Sequence, residues 1–205
     1  MSDLKQAIQR EYLKCAQDPV HFMRKYCTIQ RPTKGKVKFD LYPFQEKCLT
    51  EFKDNRYNII LKARQLGIST LSAGYSLWLM LFHNDKNILV IATGKETAKN
   101  LVTKVRVMYE GLPQWLKTGT EEINKLSLRF KNGSQQTLST GGGCIALSTP
   151  NGVGNWFHKQ WLGAEEGTNE FHTIRLHWTD HPERDEVWRK EQDKILGPSQ
   201  AAQEC

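Results

Sequence analysis

At 205 residues, with 39% hydrophobic and 25% charged content, the chain has the composition of a globular protein with one well-cored domain and room for a short appendage. Its five cysteines (Cys15, Cys27, Cys48, Cys144, Cys205) are odd in number and never spaced Cys-x-x-Cys, which argues against a disulfide framework or zinc ribbon and for a reducing compartment. The net charge of +7 is compatible with a polyanionic partner without requiring one, no signal-peptide pattern opens the chain, and the most apolar stretch, 71–82, falls short of the roughly 20 residues that span a bilayer and reads as a buried helix.

In chain order, Leu4, Ala7, Ile8, Tyr12 and Cys15 recur at helical spacing and predict an amphipathic helix over 3–16. Asp18 followed by Pro19 predicts a capped second helix through Val20, Phe22, Met23 and Tyr26. The basic stretch 31–36, containing Pro and Gly, reads as a loop, and Tyr42-Pro43 opens a third helix that runs to about Lys53. From there the chain alternates as an α/β protein does: strand 57–61, helix 69–83, strand 87–92 and helix 95–109, whose Ala98, Leu101, Val102, Val105 and Met108 share a face. Residues 126–130 alternate and end at Asn132-Gly133, a hairpin-turn signal. Strand 143–148, a Pro-Asn-Gly turn, helix 154–163, strand 171–178 and helix 183–196 follow, with no internal repeat or low-complexity segment.

The segment richest in chemistry is Ile60-Leu-Lys-Ala-Arg-Gln-Leu-Gly-Ile-Ser-Thr70. A strand enters a short loop with one glycine, and two hydroxyl residues open a helix, the layout in which backbone N–H groups face a phosphate and a Ser/Thr hydroxyl reaches Mg²⁺. The usual pattern ends Gly-Lys-[Ser/Thr], yet Ile68 stands where the lysine belongs, and the nearby lysine is Lys62, a flexible point charge at the other end of the loop. Taken alone, the segment fits a plain β-α turn equally well. Gln45, upstream, carries an amide able to pair with the N6 and N7 edge of adenine, although a surface helix residue explains it too. Ser148, Thr149, Pro150, Asn151 and Gly152 follow a strand, at the carboxyl end where ligands sit in open α/β sheets.

Tyr42-Pro-Phe-Gln45, Ala63-Arg-Gln-Leu-Gly67, Leu112-Pro-Gln-Trp115, Ser148-Thr-Pro-Asn-Gly152 and the tail from Trp178 to Trp188 together resemble, in order and spacing, the large terminase subunit of tailed phages, most closely the T4-like type. The resemblance covers nearly the whole chain. It implies a three-layer α/β P-loop domain over 41–177 behind an N-terminal helical extension, 1–40, with 178–205 beginning a linker to a nuclease domain. By the same resemblance Gln45 reads adenine; Lys62, Gln65, Gly67, Ser69 and Thr70 hold the phosphates; and Ser69 bears on Mg²⁺. Arg64 then acts as a cis sensor of the γ-phosphate, and Ser148, Thr149 and Asn151 couple nucleotide state to movement. The implied activity is ATP hydrolysis driving double-stranded DNA into a capsid, in a homo-oligomeric ring that meets the portal protein and the small terminase subunit in the host cytoplasm.

Two departures from the family pattern stand out. Members carry an apolar strand ending in Asp-Glu beside the phosphate-loop strand, and none of the 22 acidic residues here follows an apolar run of strand length; Glu121-Glu122 and Glu165-Glu166 follow polar or loop residues. The segments near 132–134 and 136–140, several dozen residues apart in the family, nearly touch, so one central strand is expected to be missing. Strands 57–61 and 143–148 should then pair directly, or leave backbone groups unsatisfied. The chain also ends before the family's RNase H-like nuclease carboxylates.

Three histidines, His172, His177 and His181, lie close together, but strand alternation puts 172 and 177 on opposite faces, against a metal cluster. Lys95, Lys99, Lys104 and Arg106 suit contact with DNA phosphates or simply a solvated helix face, and the six tryptophans read as core and interface residues rather than base-stacking platforms. Two other functions stay open: a non-hydrolysing fragment that binds nucleotide, DNA or partner subunits, and an unrelated P-loop enzyme such as a helicase, which would need an Asp-Glu box and arginine-rich later motifs.

Overall fold

The computed structural model describes residues 2–31, 35–88, 95–123, 128–136, 143–150, 152–197 and 200–202. In chain order the elements are α1 (Ser2–Gln17), α2 (Pro19–Tyr26), β1 (Thr28–Arg31), β2 (Gly35–Lys38), α3 (Pro43–Asp54), β3 (Tyr57–Lys62), α4 (Ile68–Phe82), β4 (Asn87–Ile88) and α5 (Lys95–Glu110). They continue as β5 (Thr120–Ile123), β6 (Leu128–Phe130), β7 (Gln135–Gln136), β8 (Cys144–Ser148), α6 (Trp156–Glu165), β9 (His172–Leu176) and α7 (Glu186–Leu196). The chain forms two discontinuous compact units, Met1–Leu41 with Ser69–Gly142, and Tyr42–Ile68 with Gly143–Cys205.

In the first unit Asp18 caps α2 by accepting from the Val20 N–H at 2.8 Å, as Asp-Pro predicts. Helix α4 is apolar almost throughout; Leu71, Ala73, Leu77 and Met80 are fully buried, in line with the buried helix expected over 71–82. Phe22 and Tyr12 meet Phe82 edge-to-face at 5.3 and 5.2 Å, and the Trp78 indole N–H donates to the Cys15 carbonyl at 2.8 Å.

The hairpin signal at Asn132-Gly133 is realised. β6 and β7 pair antiparallel across it, and Gly133 takes φ +81°. The turn's polar groups also finish α4: Asn132 Nδ2 donates to the Met80 carbonyl at 2.8 Å and Ser134 Oγ to the His83 carbonyl at 2.9 Å, satisfying acceptors that a helix C-terminus leaves open. The sheet runs β4-β7-β6-β5. Strand β5 places Glu121 and Glu122 on a strand, where the sequence reads polar surroundings without one. Around the basic stretch 31–36, β1 and β2 form an antiparallel hairpin where a plain loop is expected, with 32–34 outside the described residues. Residues 89–92 of the strand expected over 87–92 also lie outside them.

The second unit is built on a three-stranded parallel sheet, β8-β3-β9, with β3 in the centre. Tyr57–Leu61 pair with Cys144–Ser148, and Asn58–Lys62 with His172–Leu176. The direct pairing of β3 with β8 is one of the two outcomes the sequence allows. Gly143 is required where β8 starts, since a Cβ there would sit 2.6 Å from the Arg56 carbonyl. Ile59 and Ile60 are fully buried in β3, as a central parallel strand demands. Strand β9 ends at Leu176, and Trp178–Asp180 form a 3-10 turn rather than the end of a longer strand. The fold is α/β, as expected. Among the described residues no helix is long and apolar enough to cross a membrane.

Candidate phosphate-binding site

The 63–67 loop leaves the carboxyl end of the central strand and enters α4 at Ile68. Its apolar residues hold it in place: Ala63 is 3% exposed, and Leu66 and Ile68 are 1% exposed, while Arg64 and Gln65 face solvent. Two left-handed positions shape it, Gln65 at φ 57° and Gly67 at φ 75°. Such a turn in front of a helix directs backbone N–H groups toward a common point that suits an anion. Ser69 and Thr70 are half-buried in the first turn of α4. The burial of Ile68 accounts for the missing lysine: that position belongs to the core.

Gln45 sits at the third position of α3, behind Pro43. Its Oε1 accepts from the Tyr42 N–H at 3.2 Å and its Nε2 donates to the Leu66 carbonyl at 2.9 Å, and the residue is only 3% exposed. Beside it Tyr42 stacks on Phe44 at 5.9 Å and meets the His181 ring at 4.5 Å, and burial with nearby Arg184 pushes the His181 imidazole pKa down. The neighbouring histidines have other partners: His172 pairs with Glu51 at 2.8 Å, and His177 Nδ1 lies 2.9 Å from Thr179 Oγ1.

Lys62 ends β3, half-buried, with its ammonium 3.4 Å from the Ala63 carbonyl. Because Leu61 is in register with Ser148, Lys62 and Thr149 emerge at the same end of the sheet. Ser148 Oγ donates to the Thr149 carbonyl at 2.7 Å; Asn151 lies outside the described residues. A cavity of about 350 Å³ opens at these carboxyl ends, bordered by Lys62, Pro150, Arg175, Leu176, His177 and Arg189. Arg175 and Arg189 are cationic contributors that the sequence motifs did not single out. Both have partners, Glu165 at 3.3 Å and Asp193 at 3.0 Å. Within the second unit the loop's two left-handed residues and the lysine at the strand end suit an anion. Arg64, Gln65 and Gly67 share the loop with Leu66 but do not border the cavity.

Elsewhere, Lys99 pairs with Glu96 at 2.5 Å and Arg106 with Glu110 at 3.9 Å along α5, while burial pushes the Lys104 pKa down. A second constellation went unread in the sequence. Glu11 Oε1 receives His21 Nε2 and Lys25 Nζ at 2.8 Å and the Tyr26 hydroxyl at 2.9 Å, which holds its carboxyl down at about 2, Lys25 contributing most. Cys15 lies close enough to Glu11 and His21 to share an ion, but burial pushes its thiol up to about 12, and the Lys25 ammonium already occupies the carboxylate. The i, i+4 spacing of Glu11 and Cys15 was the available signal.

No family model matches the chain. The structure is similar to the large terminase ATPase domain of Thermus phage P74-26, with a TM-score of 0.59 at 17% identity over 81% of this chain and 93% of that one. It is also similar to the HK97 bacteriophage large terminase, with a TM-score of 0.52 at 17% identity over 89% of this chain. The match spans 42% of the HK97 protein's length. At this identity the likeness is one of fold alone: the fold is similar to that of a large-terminase ATPase domain.

Proposed function

We propose that this chain is the ATP-binding portion of a phage DNA-packaging motor, a large terminase of the T4-like type. It would bind ATP with Mg²⁺ in a ring of like subunits that meets the portal protein, the small terminase subunit and double-stranded DNA. The observation that carries the reading is the 63–67 loop itself: two left-handed residues between a central parallel strand and a helix opening Ser69-Thr70. The loop sits on a fold shared with terminase ATPase domains. In this reading the loop amides and Lys62 bind the phosphates, Arg64 senses the terminal one, Ser69 bears on the metal, and Thr149 with Asn151 responds to nucleotide state. Bound ATP supplies the phosphoryl group.

The second reading, a fragment that binds nucleotide, DNA or partner subunits without turnover, is favoured by one observation: no acidic residue follows an apolar run of strand length. Calorimetric titration with ATP tests what the two share. Saturable binding that needs Mg²⁺ is expected, and absence of binding at millimolar ATP would remove the nucleotide reading.

A further inference from the structure

We propose that Gln45 is a positioning residue of the phosphate-binding loop and does not read the base; the inference rests on the nucleotide reading above for its ligand, but not for its geometry. A glutamine that recognises adenine must offer amide oxygen and nitrogen together along an accessible edge. Gln45 is 3% exposed and both ends of its amide are committed inside the chain. The commitment fixes the orientation of the group, because the Tyr42 N–H requires an acceptor and the Leu66 carbonyl a donor. One amide thereby ties the first turn of α3 to the loop between two left-handed residues.

The contact is also steric. A Cβ on Gly67 would lie 2.7 Å from Gln45 Nε2, so the side chain is packed against the peptide through which the loop enters its helix. Gln65, held at φ 57° without being glycine, adopts a backbone conformation that persists only where neighbours impose it. Its neighbour Leu66 is both buried and bonded to Gln45. Without that bond the Leu66 carbonyl loses its donor and the loop loses the tether that holds its amides in place before any ligand arrives.

The two roles predict different responses to the ligand. A base reader matters for ATP and not for a phosphate chain without a base; a brace matters equally for both. In Gln45→Ala, affinity for ATP, GTP and inorganic tripolyphosphate should fall by the same factor, about tenfold for a lost buried hydrogen bond. Gln45→Glu keeps the volume and the acceptor for Tyr42 but not the donor to Leu66, and should show the same uniform loss if the alanine variant folds poorly. Amide exchange over 63–68, measured without ligand, should quicken about tenfold in both variants while exchange in β9 stays unchanged. Weakened ATP binding with unchanged tripolyphosphate binding overturns the proposal, as does unchanged exchange in the loop. A wild-type chain that binds none of the three ligands, yet shows the exchange response, refutes the nucleotide reading and leaves the brace standing.

Discussion

Restoring the usual lysine of a phosphate loop, Ile68→Lys, should damage this protein. The isoleucine is 1% exposed. Removing it forfeits the burial of a large aliphatic side chain, about 1.5–3 kcal/mol. The new ammonium either stays charged among apolar atoms, at an effective penalty of several kcal/mol, or gives up its proton. Relaxation toward solvent reduces the second cost, so a net loss of about 3–5 kcal/mol is reasonable against a domain stability of 5–15 or so. For a chain of this size roughly 2–4 °C per kcal/mol applies, which places the fall in Tm at roughly 6–20 °C. Differential scanning calorimetry reads it, with Ile68→Val as a control that should cost only about 0.5–1.5 kcal/mol. A lysine variant that melts within about 2 °C of wild type and binds ATP more tightly would refute the reasoning, since position 68 would then face the ligand.

Lys62→Ala should weaken ATP binding by about tenfold, the loss of one charge-assisted contact, and an unchanged titration would show that the lysine at the strand end does not stand in for the one replaced by Ile68. Glu11→Gln should destabilise the chain by on the order of 2 kcal/mol at neutral pH, discounted for a side chain 19% exposed. Because the folded carboxyl is depressed from 4.5 to about 2, the Glu11 contribution is complete above about pH 5 and is lost as pH falls toward 2. The gap between wild type and variant in urea unfolding should therefore be narrower at about pH 3.5 than at about pH 5; a gap that ignores pH would rule out ionisation as its source.

Much of this was legible because the signals were local. Asp18-Pro19 caps α2, Asn132-Gly133 turns the β6–β7 hairpin, and the unbroken apolar run within α4 is buried. The strands that escaped notice are those with little apolar content: β1 and β2 contribute Ile29 and Val37, and β5 reads Thr-Glu-Glu-Ile, so backbone pairing rather than periodicity makes them. The discontinuous units were out of reach as well, since periodicity identifies a strand but not its neighbours. At the site, the loop was visible in its spacing, whereas the burial of Gln45 was not. A glutamine three residues past a helix start ordinarily reads as surface, and Tyr42 at the N-cap offers no Ser/Thr capping signature to mark it.

The sheet order also bears on catalysis. Strand β3 is hydrogen-bonded along both edges, to β8 and to β9, so no further strand can lie beside it. An acidic strand of the terminase kind can join this sheet only beyond β8 or β9, about 9–10 Å from β3 at the usual strand spacing, and the sequence contains no apolar run ending in a carboxylate to form one. A positioned general base contributes typically 10²–10⁴-fold to a proton-transfer step, and the Mg²⁺-directed aspartate is lost with it. On the proposed nucleotide reading, binding and hydrolysis should therefore separate in this chain: ATP should bind, and phosphate release should stay near the background of a no-protein control. Steady-state phosphate release with Mg²⁺, in the presence and absence of double-stranded DNA, measures this directly. Turnover on the order of 1 s⁻¹ or faster, ordinary for an enzyme, would mean that a carboxylate reaches the attacking water from elsewhere in the chain, and the reading of a missing acidic strand would fall with it.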